Sequence, residues 1–170
     1  MVDIVNKETR SRMMSGIRSS NTKPEVLTRK ALHRLGYRFR LGSKVESITP
    51  DVVLRRLKVA VFTHGCYWHQ HEGCKLSYSD RSYSEKWKKK FADNKQRDQR
   101  VIAQLKEEGW RVAVIWECTT RRDTEFEDAI NRLHKFIQTD SSWYFETLHR
   151  EVKSRERKIV SEENRQVEHN

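Results

Sequence analysis

The sequence predicts an α/β domain in which helices cover a mixed β-sheet, and three observations lead to this class. Amphipathic helical patterns alternate with short apolar runs of strand type, in the order helix, strand, hairpin, helix, strand, helix. The 170 residues suit one compact domain with one core. Apolar and charged residues each make up 35% of the chain, so we expect a small core and a strongly charged surface.

The first elements are a basic segment, a capped helix and a strand. Residues 1–20 are expected to form a basic arm or short helix. The next helix can be capped by Asn21 or Thr22 and is closed by Gly36. The alternating stretch YRFRL, residues 37–41, is typical of a strand.

The remaining elements start at a predicted β-hairpin over residues 50–65. A long helix from Ser84 to Gly109 follows, then the apolar strand RVAVIWEC. A second amphipathic helix is predicted over 123–138, with a short edge strand in SSWYFETL. We therefore expect a single domain over 21–149, and a charged helix or disordered tail over 150–170.

The charge pattern suggests a phosphate backbone as partner. The net charge is +11, and residues 1–44 carry eleven Lys and Arg against three acids, while residues 81–100 carry eight against three. Two concentrated basic regions are typical of nucleic-acid binding, although a surface that serves only solubility is the alternative. No apolar run is long enough for a membrane span, and no signal peptide is evident, so we expect a cytoplasmic protein with no membrane association.

Residues 62–74 hold three of the seven histidines and two of the three cysteines. Cys66, His71 and Cys74 can surround one zinc ion, and Cys118, at the end of a strand, is the remaining thiol that could complete a tetrahedral site. Such a zinc would be structural, because all four ligands come from the protein. The alternative is three buried thiols and a hydrogen-bonded histidine.

His64 and His69 stay outside this proposed zinc site. In an antiparallel hairpin the start of one strand lies beside the end of the next, so Asp51 should approach Thr63 and His64. Such oxygen ligands suit magnesium, and a nearby histidine could take a proton from an attacking water. Glu25 fits two roles equally well, a capping box with Thr22 or an active-site carboxylate.

Aromatic residues interrupt these polar elements. Tyr67 and Trp68 lie inside the predicted zinc loop, and Trp87 begins the basic helix among lysines. Such side chains could wedge between base pairs while the lysines neutralise phosphates, with core packing as the alternative.

Four motifs together resemble the very-short-patch repair (Vsr) endonucleases: TRSRMMSGIRSSNTKPE, PDVV, VAVFTHGCYWHQH and GWRVAVIWEC. They cover roughly residues 7–140, and the FTHGC-aromatic-WH core is highly specific. The resemblance implies a restriction-endonuclease-like fold and a DNA endonuclease that nicks one strand next to a T:G mismatch, the product of 5-methylcytosine deamination.

The resemblance also assigns roles to residues. It implies that Asp51 and Thr63 bind magnesium, that His69 is the general base and that Glu25 and His64 support the site. The zinc ligands match Cys66, His71, Cys74 and Cys118. The family's DNA-contacting residues match Met14, Tyr67, Trp68, Trp87, Lys90 and Asn94.

Two departures and three rivals accompany this interpretation. Where common nucleases of this fold carry an acid and a lysine, this chain has Phe62 and His64, as the family does. The loop between His71 and Cys74 is one residue longer than the family form. The rivals are a zinc-stabilised DNA-binding module without catalysis, a nuclease for RNA or unmismatched DNA, and a zinc hydrolase using His64, His69 and Asp51. We further expect a monomer, and the resemblance implies a MutL-type mismatch-repair protein as a possible partner.

Overall fold

The computed structural model describes residue 8 and residues 20–77, 85–139 and 141–147. In chain order, the helices are α1 (Lys23–Arg34), α2 (Cys66–His69), α3 (Glu85–Glu107) and α4 (Asp123–Gln138). The strands are β1 (Val52–Leu54), β2 (Val59–His64), β3 (Arg111–Trp116) and β4 (Tyr144–Glu146). Short 3-10 turns occupy Arg55–Leu57, Lys75–Ser77 and Glu117–Arg121.

Within these residues one mixed sheet forms in the order β1-β2-β3-β4. β1 and β2 are antiparallel, whereas β3 lies parallel to both β2 and β4. The α/β class, the mixed sheet and the hairpin are thus confirmed, with β4 at an edge as expected. Lys58, at φ 48°, closes the hairpin turn.

Side chains alternate along each strand, so the sheet has two apolar faces, and helices pack on both of them. Val59, Val61 and Ile115 point to one apolar cluster with residues of α1 and α4. Ala60, Val112 and Val114 point to a second cluster, which includes Leu105 of α3 and Cys66. His64 and Trp116 are register partners at the same end of β2 and β3, near which the predicted site residues lie.

The predicted strand over 37–41 is wrong: the chain there pairs with no strand that the structure describes. Two of its three alternating apolar residues pack on the core without forming a strand, whereas Leu41 is 62% exposed. Tyr37 is buried, its hydroxyl lies 2.8 Å from Nδ1 of His134, and Phe39 packs against the core. The predicted arm over 1–20 and tail over 150–170 lie almost entirely outside the described residues.

The region that the structure describes includes no helix with both the length and the apolar character needed to cross a membrane.

Candidate active site and metal centre

The hairpin brings Asp51 and Thr63 together, as its antiparallel register predicts. The backbone N–H of Thr63 donates to Oδ2 of Asp51 at 2.7 Å. The hydroxyl oxygen of Thr63 is buried and has no hydrogen-bond partner among the described residues. Burial raises the pKa of Asp51 from 3.8 to about 6, because the hydrogen bond from Thr63 offsets only part of the desolvation.

Glu25 lies between the start of α1 and the cleft that holds Asp51. Its carboxylate accepts hydrogen bonds at 2.8 Å from the N–H of Asn21 and from the hydroxyl of Thr22 at the start of α1. It also borders the cleft that holds Asp51, and its negative charge adds to the rise in the pKa of Asp51. The reciprocal capping box with Thr22 does not form, because the Thr22 side chain makes no cap hydrogen bond, but Glu25 still ties the start of α1 to the cleft that holds Asp51.

Arg29 lies between the two carboxylates. Its guanidinium donates to Glu25 at 3.0 Å and lies 3.9 Å from Oδ1 of Asp51. Arg29 is not among the predicted site residues, although its position one helical turn after Glu25 was a usable signal.

His69 projects from α2 into the same cleft and is held by Asp98 of α3. Its Nδ1 lies 2.5 Å from Oδ2 of Asp98. Burial is the largest single effect on the pKa of Asp98 and raises it, but the hydrogen bond and charge of His69, together with His64 and Arg97, lower that pKa overall. When Nδ1 donates to this carboxylate, Nε2 of a neutral His69 is free to accept a proton.

His64 stacks against His69, with ring centroids 3.9 Å apart and planes 8° from parallel. Burial, followed by the neighbouring His69, lowers the pKa of His64 from 6.5 to about 3. His64 is therefore neutral at physiological pH. The ligand atoms of His64, His69 and Asp98 lie within 4.8 Å of one another, so these three side chains could also hold a metal ion.

Asp98 is likewise not among the predicted site residues. It lies 29 residues from His69, inside a basic helix. The usable signal was the inward-facing stripe of α3, where Phe91, Asn94, Asp98, Val101 and Leu105 recur at spacings of three and four. A carboxylate in such a stripe needs a partner.

A second cluster unites all four predicted zinc ligands. The ligand atoms of Cys66, His71, Cys74 and Cys118 all lie within 4.8 Å of one another. Gly73, at φ +68°, provides a turn in the longer loop, and Cys74 still reaches the cluster. The four side chains form a possible metal-binding site that includes neither His64 nor His69.

The thiols of this cluster interact strongly. A hydrogen bond from Cys66 and a contact with His71 lower the pKa of Cys118 to about 4, despite burial. The hydrogen bond between Cys66 and Cys118 raises the pKa of Cys66, and burial raises the pKa of Cys74. Backbone N–H groups of Cys118 and Leu76 donate to Cys66 and Cys74, each at 3.4 Å. Such donors are typical around metal-bound thiolates.

The predicted DNA-contacting aromatics form one partly exposed group. The ring centroids of Tyr67 and Trp68 are 5.1 Å apart, and those of Trp68 and Trp87 are 5.9 Å apart. Nζ of Lys90 lies 5.1 Å from the Trp68 ring centroid and 5.3 Å from that of Trp87. Asn94 donates to the backbone carbonyl of Trp68 at 3.0 Å, which fixes this part of α2 against α3.

Met14 lies outside the described residues, so its place relative to these aromatics stays a prediction.

The protein-family model for the DNA mismatch endonuclease Vsr matches residues 2–75 of this chain. The chain is 36% identical over 139 residues to the DNA mismatch endonuclease Vsr of Escherichia coli, covering 81% of this chain and 88% of that protein. The chain belongs to the Vsr family. It is 45% identical over 118 residues to the type II nicking enzyme V.XorIIP of Xanthomonas oryzae pv. oryzae, covering 69% of this chain and 86% of the relative.

The match to a third relative covers a larger share of that relative's length. The type II nicking enzyme V.NmeAIP of Neisseria meningitidis serogroup A is 37% identical over 138 residues, which covers 81% of this chain and 98% of the relative. As a Vsr-family protein, the chain is a DNA mismatch endonuclease or nicking enzyme. The rival without catalysis is thereby set aside.

Proposed function

We propose that this Vsr-family protein nicks one strand of duplex DNA next to a T:G mismatch that arises from 5-methylcytosine deamination. The reaction would be magnesium-dependent phosphodiester hydrolysis with His69 as the general base. One observation carries the proposal: a histidine oriented by Asp98 shares a cleft with Asp51 and Thr63.

The residues around Asp51 fit a magnesium ion. Magnesium is bound by few carboxylates together with waters and substrate phosphates. Asp51 has oxygen lone pairs beyond the one that accepts the N–H of Thr63, and the Thr63 hydroxyl lacks a partner among the described residues. When bound, the ion would supply positive charge for the phosphate oxygens of the transition state.

His69 is suited to take the proton of the attacking water. Asp98 fixes its ring through Nδ1, directs Nε2 away from that bond and stabilises the imidazolium that forms. His64 stays neutral and supports one face of the His69 ring. Glu25 supports the site, with Arg29 offsetting its repulsion of Asp51.

The four-residue cluster fits a structural zinc ion. Tetrahedral bonds of about 2.3 Å to sulfur and about 2.05 Å to nitrogen place those ligand atoms about 3.55 Å apart. Nδ1 of His71 lies 3.6 Å from Sγ of Cys66 and 3.5 Å from Sγ of Cys118. With Cys74 completing the set, zinc would have no open position and would join the loop after β2 to the end of β3.

We propose that the aromatic group acts as the wedge at the mismatch. Tyr67, Trp68 and Trp87 would enter the base stack with Met14, while Lys90 neutralises phosphate and Asn94 holds the wedge in position. A mismatched pair costs less to unstack, so deformation supplies part of the selectivity.

The remaining expectations concern the fold type, the domain bounds, the location and the partner. We propose a restriction-endonuclease-like fold, since a mixed sheet presents Asp51 at the start of a hairpin and helices cover both faces. We also propose a monomer that acts on the chromosome in the cytoplasm, with a MutL-type partner. Its nuclease domain would span 21–149, between the basic arm over 1–20 and the charged tail over 150–170.

The test compares duplexes that differ in a single base pair. End-labelled duplexes with T:G, C:G or T:A at one position, and with identical flanks, are incubated with magnesium and the full chain. The proposal requires nicking of the T:G duplex on one strand, loss of nicking in Asp51→Ala, and retained binding by that variant. Equal cleavage of all three duplexes, or preferential cleavage of the RNA counterpart, would favour the rival substrates.

A further inference from the structure

Trp116 connects the metal cluster to the active-site histidines. Its indole ring stacks on the imidazole of His71, with centroids 4.0 Å apart and planes 4° from parallel. The same indole meets His64 edge-on, with centroids 5.3 Å apart and planes at 75°. Since His64 stacks on His69, four rings form a continuous column, named here the ring column.

The sheet register explains how this column is built. His64 and Trp116 are paired residues at the ends of the parallel strands β2 and β3, so their side chains stand side by side on one face. Trp116 is 7% exposed and His64 is 9% exposed, so neither ring can turn without displacing its neighbours.

The edge strand β4 holds the indole in place. Nε1 of Trp116 donates to the carboxylate of Glu146, and the hydroxyl of Tyr144 donates to the same carboxylate at 2.9 Å. The backbone N–H of Trp116 also donates to the hydroxyl of Thr147 at 2.9 Å. The ring is thus fixed by hydrogen bonds as well as by stacking.

We infer that Trp116 is a positioning residue for catalysis, which transmits the geometry of the metal cluster at His71 to the general base His69 through His64. This inference rests on the proposed role of His69. The metal cluster then has two effects: it ties the loop to the sheet, and it sets the plane against which the catalytic histidines pack. A misplacement of about 1 Å in a catalytic group can lower a rate by about 100-fold, so a shifted column is expected to lower turnover.

The test compares Trp116→Leu, which removes the ring, with Trp116→Phe, which keeps a ring for both contacts. Trp110→Leu is the matched control, because Trp110 packs in the same apolar cluster but precedes β3 at its opposite end. Metal content, affinity for the T:G duplex, kcat, and the His69 ring-proton resonances are measured in the full chain.

Trp116→Leu is expected to lower kcat by about 10- to 100-fold while duplex affinity changes by less than about 3-fold. It should also shift the His69 resonances and retain its metal. Trp116→Phe and Trp110→Leu should keep kcat within about 3-fold and leave those resonances in place. If Trp116→Leu does not fold, Glu146→Ala carries the test, because it frees the indole N–H but keeps the ring; it should lower kcat and shift His69.

Unchanged kcat and unchanged His69 resonances in the folded variant would overturn the inference, as would equal losses in Trp116→Leu and Trp110→Leu. His69→Ala separates this failure from failure of the proposed function. If His69→Ala nicks normally, the general-base assignment is wrong; if it is inactive while Trp116→Leu is normal, only the ring column is wrong.

Discussion

Asp98 Oδ2 lies 2.5 Å from Nδ1 of His69, and this contact joins α3 to α2 across the candidate active site. The two residues are 29 positions apart, so tertiary packing alone creates the pair. When Nδ1 donates its proton to this carboxylate, Nε2 is the ring nitrogen that can accept one. Asp98 is therefore expected to act on the reaction through His69.

Asp98→Asn tests this directly. The amide keeps the shape of the side chain but cannot stabilise an imidazolium, so kcat should fall by about 10- to 100-fold with little change in duplex affinity. Single-turnover nicking of the T:G duplex provides the measurement. Asp93→Asn, an exposed position on the same helix, is the control and should retain wild-type kcat. Full activity of Asp98→Asn would remove Asp98 from the mechanism.

Asp51 should make stability depend on pH in an unusual direction. Its folded pKa is raised from 3.8 to about 6, so the folded state binds more protons than the unfolded state between these values. Its contribution is fully present below pH 3.8 and is lost as pH rises through about 6. In magnesium-free buffer, Asp51→Asn should thus be more stable than wild type by about 1–2 kcal/mol at pH 7.5 and by almost nothing near pH 4.

Urea unfolding of both proteins across this pH range measures the difference in their free energies of unfolding. The effects of all other carboxylates cancel in this difference, because both proteins contain them. A constant difference at all pH values would contradict the raised pKa. Added magnesium should reduce the gap above pH 6, because the ion binds the ionised carboxylate only in wild type.

Cys118→Ser tests the metal centre as a structural element. A hydroxyl is a much weaker zinc ligand than a thiolate, so the variant should lose its metal and melt lower by about 10 °C or more. Glu117→Gln, in the same 3-10 turn, is the control and should keep both metal and melting temperature. Metal analysis and calorimetry measure the two effects. A metal-free wild-type protein with the same stability would refute the structural role.

Trp68→Ala tests the wedge. Loss of the ring should lower nicking of the T:G duplex by about 10-fold or more, while binding to a matched duplex changes by less than about 3-fold.

Two lysines of α3 distinguish support of the wedge from a general effect of positive charge. Lys90 lies over Trp68, whereas Lys88 pairs with Glu85 at 2.8 Å. Both alanine variants should reduce the salt dependence of binding, but only Lys90→Ala should reduce discrimination. If Lys88→Ala and Lys90→Ala discriminate equally well between the T:G and the matched duplex, the proposed support of Trp68 by Lys90 is wrong.

Local rules were sufficient for much of the fold and of the site. The helix predicted over 123–138 occupies Asp123–Gln138, because its apolar spacing is regular. Hairpin geometry placed Asp51 beside Thr63, and the end of a buried strand delivered Cys118 to the metal cluster. Each of these predictions depends on one element or on neighbouring strands.

The failures required knowledge of tertiary packing. Residues 37–41 have a strand pattern, but a strand also needs a partner, and Tyr37 is instead buried against His134. Asp98 and Arg29 meet the site only after helices dock on the sheet. The stacking of His64 on His69 depends in the same way on how α2 leaves β2.

The metal content and nicking activity of His69→Ala test the division between the two clusters most directly. The account predicts about one tightly held zinc per chain in both wild type and variant, since all four ligands lie elsewhere. It also predicts that the variant binds the T:G duplex but does not nick it with magnesium present. Loss of zinc from His69→Ala, or nicking at the wild-type rate, would contradict the account.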